Sequence, residues 1–304
     1  MSKPRVLVIG GGPSDEREIS SLSSKAVFDA LKSQAYSVEY YDWDGSIDWL
    51  QDNLARFDVV LPILHGAGGE DGVIQKILED ASIPYLGSNS EVSKLCFDKK
   101  ASRIRITELG IVVPDGAVVT MSEYQTHPLY SQPHVLKPYN GGSSIDTYIL
   151  ANPSDRPNKL VEASFSKHHT MLLEQFIKGI EITVPVLGGV CLPTIEIHPP
   201  KSGTFDYANK YNGATTELCP AQSLTKDQQK TVNDIALRIY TAFGCRHLAR
   251  IDMIVTKDTV YVLEVNTLPG MTEKSLFPKA SAAIGMDFNT LAVKLLELSQ
   301  KGDG

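Results

Sequence analysis

Apolar residues recur along this chain in two rhythms, and the change of rhythm marks its parts. Residues 5–9 end in the run Val-Leu-Val-Ile and lead into Gly10-Gly11-Gly12. Ile19, Leu22, Ala26 and Leu31 then fall at helical spacing and predict a helix over 15–31. Strand patterns follow at 38–41 and 59–64, the second closing on His65-Gly66, and a helical pattern follows at 72–81. This βαβ alternation over residues 1–92 predicts a parallel sheet with crossover helices. A helix rich in Lys and Arg is expected over 93–109, stopped by Gly110. Short strands at 135–137, 147–150 and 171–175, with a helix at 158–166, predict a compact α+β unit over 93–178. Over 179–304 the strands lengthen, at 181–187, 194–198, 250–255 and 260–266, with helices at 225–243 and 288–299. The polar stretch 202–216 reads as a long loop, a length that in a compact domain is functional or disordered.

The pair Arg-Ile-Asp-Met-Ile-Val (250–255) and Val-Tyr-Val-Leu-Glu-Val-Asn (260–266) carries the first chemical signal. Closed as a hairpin with Thr256 opposite Val260, it sets Asp252 opposite Glu264 and Arg250 opposite Asn266. Side chains alternate along a strand, so these four share a face, while Ile251, Met253 and Val255 bury the other. Two carboxylates, an amide oxygen and a guanidinium on one face outline a Mg²⁺ and phosphate site. Two adjacent buried carboxylates repel, and a divalent cation removes that cost. The competing reading is a surface hairpin with alternating polar residues.

Composition narrows the classes. Hydrophobic content of 42% and charged content of 21% over 304 residues are those of a soluble globular chain of two or three domains. A net charge of −7 without a basic run argues against nucleic acid. No stretch reaches the apolar length of a membrane span, and the N-terminus lacks a signal-peptide core. Cys96, Cys191, Cys219 and Cys245 are scattered without CxxC spacing, as expected of reduced thiols in a cytoplasmic protein.

Four further segments carry candidate chemistry. Lys137-Pro138-Tyr139-Asn140-Gly141-Gly142-Ser143-Ser144 is a lysine at a strand end before a glycine-rich loop whose amides can cradle phosphate; a flexible turn is the alternative. Glu174-Gln175-Phe176-Ile177 with Glu181 can present backbone groups to a purine edge and a carboxylate to ribose hydroxyls, or be a plain strand end. Glu16 follows Gly10-Gly11-Gly12-Pro13 in the first helical turn; it is a carboxylate for a ligand ammonium or simple helix-dipole placement. His65 closes a strand at the end of the sheet where α/β proteins bind ligands, whereas His168-His169 reads as solvated.

Together these segments resemble the D-alanine–D-alanine ligase family of the ATP-grasp superfamily. The resemblance runs through GGPSDEREIS, HGAGGEDG, FDK, KPYNGGSS, LLEQFIKGIEITV, GTFDYANKY, CPA, GCRHLARIDM and LEVNTLPGMTEKSL, in that order. It implies an α/β and α+β chain: an N-terminal substrate-binding domain (1–92), a central ATP-grasp subdomain (93–178) and a C-terminal one (179–304) with the metal site and lid loop. It implies ATP as cosubstrate and two Mg²⁺ ions, or Mn²⁺ in their place, on Asp252, Glu264 and Asn266. Lys99, Lys137 and Ser144 would meet the phosphates, and Glu174, Phe176, Ile177 and Glu181 the adenosine. Lys210 would reach the γ-phosphate from the closing loop. Glu16 would hold the ammonium of the first of two D-alanine molecules, with Ser143 and Tyr211 bonded to it. His65 would belong to the substrate site, Ser275 and Leu276 would bind the carboxylate of the second D-alanine, and Arg250 and Gly270 would form an oxyanion site.

The implied reaction is formation of D-alanyl-D-alanine through an acylphosphate, for peptidoglycan synthesis in the cytoplasm. The implied assembly is a homodimer, with no nucleic-acid or membrane partner. Ile145-Asp146 departs from the family's usual Val-Gly, which bears on how that loop closes, and Tyr139-Asn140-Gly141 replaces commoner charged residues. D-lactate or D-serine as acceptor, and an inactive nucleotide-binding regulator, are the alternatives.

Overall fold

In the computed structural model, residues 3–141, 145–152, 159–198 and 215–301 are described. The chain opens with β1 (Arg5–Gly11), β2 (Ser37–Trp43) and β3 (Val59–Pro62), all parallel in the order β2-β1-β3. Helices α1 (Arg17–Ser33), α2 (Asp48–Asn53) and α3 (Val73–Asp80) accompany them. The predicted helix at the start therefore begins after Glu16, which takes its N-cap position.

The single helix expected over 93–109 is two, α4 (Ser90–Phe97) and α5 (Lys99–Glu108). Asp98 breaks it: its backbone is extended (ψ 99°) and its carboxylate accepts from Ala101 N to start α5. In this part of the chain two elements escape the apolar pattern, the half-buried strand β4 (Gly116–Thr120) and the six-residue α6 (Met121–Thr126). The latter announces itself only by the capping box between Thr120 and Glu123. With β5 (His134–Lys137), β6 (Tyr148–Leu150) and β7 (Thr170–Gln175), β4 forms an antiparallel sheet ordered β4-β7-β5-β6. Helix α7 (Lys159–His168) covers it through Val161 and Phe165.

The third sheet is antiparallel, with β8 (Ile180–Leu187), β10 (Ile195–His198), β11 (Thr216–Leu218), β12 (Leu248–Val255) and β13 (Val260–Asn266) in the order β11-β10-β8-β12-β13. The short β9 (Val190–Cys191) pairs with β8. Helix α8 (Lys226–Phe243) packs Val232, Ala236 and Ile239 on it and ends at Gly244, whose φ of 75° is a left-handed cap.

Helices α9 (Leu276–Ala282) and α10 (Phe288–Ser299) then return to the first sheet. Phe277, Leu291 and Leu295 share one core with Val6, Val8, Val27 and Leu31. Thus the last helices bury the first sheet's face, and chain ends distant in sequence stabilise one another through apolar burial. All four cysteines are free. Among the described residues no helix is long and apolar enough to cross a membrane.

Candidate active site

The β12–β13 hairpin has the expected pairing where the chemistry lies and a different one near its turn. Arg250 is opposite Asn266 and Asp252 opposite Glu264, but Val255, not Thr256, is opposite Val260. A bulge between Asp252 and Met253 accounts for the slip, leaving Leu263 as the extra residue. The consequence is local: Leu263 and Glu264, neighbours in sequence, both line the same cavity, which strict alternation forbids.

That cavity, of about 640 Å³, lies between the second and third sheets. It gathers Lys99, Lys137, Glu174, Phe176, Ile177, Glu181, Asp252 and Glu264, eight residues singled out from sequence. Lys99 leads α5 with its N–H on Tyr139 O at 2.8 Å, which fixes it beside the 138–141 segment. Its ammonium donates to Gly141 O and lies 3.4 Å from Glu264 Oε2. Lys137 ends β5 and pairs with Glu174 of β7 at 2.6 Å. Arg103 of α5 holds the other oxygen of Glu174 and also donates to Pro114 O. The buried Glu174 is thus compensated by two cations, which its burial demands. Glu196 of β10 lines the same cavity; burial opposes its ionisation, but Ser223 and the N–H groups of Ser223 and Gln222 hold it below the ordinary carboxylate range.

Asp252 accepts from Arg250 through both oxygens at 2.9 Å, from Thr183 Oγ1 at 2.6 Å and from Asn266 Nδ2 at 3.2 Å. This corrects one argument from sequence. Arg250 neutralises Asp252 and Lys99 neutralises Glu264, so the two carboxylates do not need a metal to coexist. The donor set of Asp252, Glu264 and the Asn266 amide still fits a hard cation, because all three offer oxygen. Among the described residues no cluster of three or more His, Cys, Asp or Glu is placed to hold a metal.

A recess sharing Lys99, Gly141 and Glu264 with the cavity is lined by Glu70, Cys96, Asn266 and Thr267. Here the first sheet contributes. Glu70 accepts from Gly66 N at 2.7 Å. Burial, then the charge of Glu16, pushes its carboxyl up to about 8, against opposing pulls from Gly66 N–H and Arg250. Glu16 is buried, and its side chain makes no cap bond to α1. Gly66, at φ 74°, leaves it room: a Cβ there would stand 2.8 Å from Glu16 Oε2. Ser14 Oγ donates to His65 O at 2.6 Å and accepts from Glu16 N, fixing the acidic turn on the loop after β3.

His65 is buried, with Nδ1 3.1 Å from Leu268 O and Nε2 3.2 Å from Ser23 Oγ. A carbonyl only accepts, so Nδ1 carries the proton and Nε2 accepts from Ser23. Desolvation lowers its pKa to about 4, so the ring is neutral. It therefore ties the loop after β3 to the Leu268–Gly270 segment. Ser275 Oγ accepts from Thr272 N at 3.1 Å and stands where a Cβ on Gly270 would be 3.0 Å away; Leu276 follows, buried at the start of α9. Ser143, Ser144, Lys210 and Tyr211 lie outside the described residues.

Glu70, Arg103, Glu196 and Leu263 are the residues that the sequence reading missed. Glu70 stands in the quoted HGAGGEDG segment, where only His65 was assigned a role. Arg103 was one cation of a basic helix. The other two needed the three-dimensional fold. His168, expected to be solvated, is half-buried and lies 2.7 Å from Asp146.

The fold is similar to the crystal structure of D-alanine–D-alanine ligase from Bacillus anthracis complexed with ATP, with TM-score 0.84 and 32% identity over 97% of each chain. It is similar also to VanG D-Ala:D-Ser ligase from Enterococcus faecalis, with TM-score 0.78 and 28% identity over 98% of this chain and 100% of that one. Two antiparallel sheets closing on a lysine- and carboxylate-lined cavity, beside a parallel sheet, make this an ATP-grasp ligase. In sequence, residues 106–297 match the profile described as D-ala D-ala ligase C-terminus, and residues 50–88 match the D-ala D-ala ligase N-terminus. The D-alanine–D-alanine ligase of Methylacidiphilum infernorum (isolate V4) is 39% identical over 297 residues, covering 97% of this chain and 95% of that one. The chain belongs to the D-alanine–D-alanine ligase family.

Proposed function

We propose that the chain joins two D-alanines into D-alanyl-D-alanine, converting ATP to ADP and phosphate, in the cytoplasm and as a homodimer. The supporting observation is the continuity of the two sites. The cavity holding Lys99, Lys137, Asp252 and Glu264 shares its wall with the recess where Glu70 feels the charges of Glu16 and Arg250.

The apolar side of the cavity, Phe176, Ile177 and Leu263, takes the adenine, and Glu181 takes the ribose. Lys99 and Lys137 face the phosphates, joined by Ser144 and Lys210. Glu16 binds the ammonium of the first D-alanine, with Ser143 and Tyr211 bonded to it. The carboxylate of that D-alanine attacks the γ-phosphorus; the acylphosphate forms and ADP leaves. The second D-alanine, its carboxylate held by Ser275 and Leu276, attacks the acyl carbon through its neutral amine, whose nitrogen gives up a proton as the amide forms. Arg250 and the Gly270 N–H stabilise the oxyanion, and phosphate departs with the carboxylate oxygen. Asp252, Glu264 and Asn266 would hold two Mg²⁺ ions, or Mn²⁺ in their place; bound there, the metal neutralises charge on phosphoryl oxygens. His65 acts by position, since both ring nitrogens have protein partners.

Phosphate release and product mass, measured with D-alanine alone and with D-serine or D-lactate as competing acceptors, test the reading. D-alanyl-D-alanine is expected to dominate. A mixed product would move the chain to the D-serine or D-lactate class, and no D-alanine-dependent ATP turnover would sink every ligase reading. Glu264→Gln is expected to cost at least ~10²-fold in rate, the scale of losing one catalytic electrostatic group. Near-normal turnover with unchanged Mg²⁺ dependence would refute its assignment.

A further inference from the structure

Asp146 has φ 54°, a left-handed backbone that glycine takes freely and aspartate tolerates better than most side chains. Its neighbours Ile145 and Thr147, with Ile149 of β6, line the cavity. Its carboxylate meets the end of α7 instead. His168 Nε2 lies 2.7 Å from Asp146 Oδ2, and Lys167 Nζ donates to the same oxygen at 3.3 Å. Burial opposes ionisation of Asp146, but the hydrogen bonds from His168 and Lys167 outweigh it and hold the carboxyl below its ordinary range. Lys167 also reaches Asp15 Oδ2 at 3.3 Å, one residue before Glu16.

The two arms differ in strength. The His168 and Asp146 side chains are 19% and 24% exposed. Those of Lys167 and Asp15 are 53% and 71% exposed, and an ion pair so open to water and so long contributes little. The His168 arm is the one with mechanical consequence. His168 ends α7, and His169, at φ 59°, turns the chain into β7, which carries Glu174. The contact therefore ties the wall at 145–149 to the corner from which the floor of the cavity starts.

We propose that Asp146 is a positioning residue for the nucleotide: through His168 it fixes the wall formed by Ile145, Thr147 and Ile149. The proposal rests on ATP being the occupant of this cavity. Loss of the carboxylate loosens the wall, so ATP affinity falls while chemistry at saturating ATP is little changed. The backbone does not require the carboxylate, because glycine suits φ 54° better. Asp146→Gly therefore removes the contact without adding strain, and Asp146→Asn keeps the shape while removing the charge.

Calorimetric titration with ATP, in the absence of D-alanine, reads the wall apart from turnover. Asp146→Gly and His168→Phe are each expected to weaken ATP at least about 5-fold, as loss of a charge-assisted hydrogen bond does. Asp146→Asn should fall between them and the unsubstituted chain. The double variant should be no weaker than the weaker single one, because both remove the same contact. The KM for ATP should rise by the same factor with kcat within about 2-fold, and Asp15→Asn should bind ATP within about 2-fold of the unsubstituted chain. Unchanged affinity in Asp146→Gly, or losses that multiply in the double variant, would overturn the proposal while leaving the ATP reading intact. Failure of the unsubstituted chain to bind ATP overturns both.

Discussion

The half-buried Glu70 carries a carboxyl whose ionisation its surroundings oppose. Its pKa of about 8 follows from burial first and from Glu16 second. Between its ordinary 4.5 and about 8 the folded chain holds a proton that the unfolded chain has released. Stability from this group therefore falls as pH rises through that window, and changes no further above it. His65, lowered from 6.5 to about 4, acts in the opposite sense, adding stability as pH rises from 4 to 6.5. The interval from 6.5 to 8 thus separates Glu70 from His65. Glu70→Gln is expected to gain on the unsubstituted chain across that interval, by at most about 1.4 kcal/mol per pH unit for one proton. Urea unfolding at a series of pH values measures it, and parallel profiles would contradict the placement of the proton. Nothing in the sequence marked Glu70 as protonated. That property comes from burial first and, second, from the charge of Glu16, which the fold brings near across the Gly66 turn. Arg250, Asp252, Glu264 and Asn266 were legible because one hairpin carries all four.

At the level of elements, alternation works until a bulge interrupts it. The β12–β13 pairing read from sequence is right from Arg250 to Asp252 and off by one beyond. Leu263 consequently joins Glu264 on the cavity side. An apolar contact to the adenine is what this predicts, so Leu263→Ala should weaken ATP about 10-fold, the factor for ~1.4 kcal/mol of lost apolar contact. Affinity within about 2-fold of the unsubstituted chain would show that Leu263 only fills space. The same limit of pattern explains the split of the 93–109 helix. Lys and Arg give that stretch no apolar period strong enough to reveal a break, whereas Asp98 as an N-cap does, once its three-residue reach to Ala101 is considered. The six-residue α6 was beyond periodicity, since a helical period needs a longer window to show.

The whole molecule joins what the sequence kept apart. The longer strands and helices were legible, because each keeps its own period over enough residues to show it. The return of α9 and α10 onto the first sheet was not, since Phe277, Leu291 and Leu295 carry no label saying which face they cover. That return brings the 268–271 segment against the first sheet's loop and helix, with Leu268 O 3.1 Å from His65 Nδ1 and Met271 N on Ser23 Oγ at 3.2 Å. In the proposed reaction a substrate site assembled from both ends of the chain opens onto the nucleotide cavity between two sheets. That reaction requires an oxygen of the first D-alanine's carboxylate to leave on phosphate. D-Alanine labelled with ¹⁸O in its carboxylate, turned over with ATP and Mg²⁺, tests it most directly by mass analysis of the phosphate released. One ¹⁸O per phosphate, formed in step with D-alanyl-D-alanine, is the expected result; unlabelled phosphate, or phosphate released without dipeptide, would contradict it.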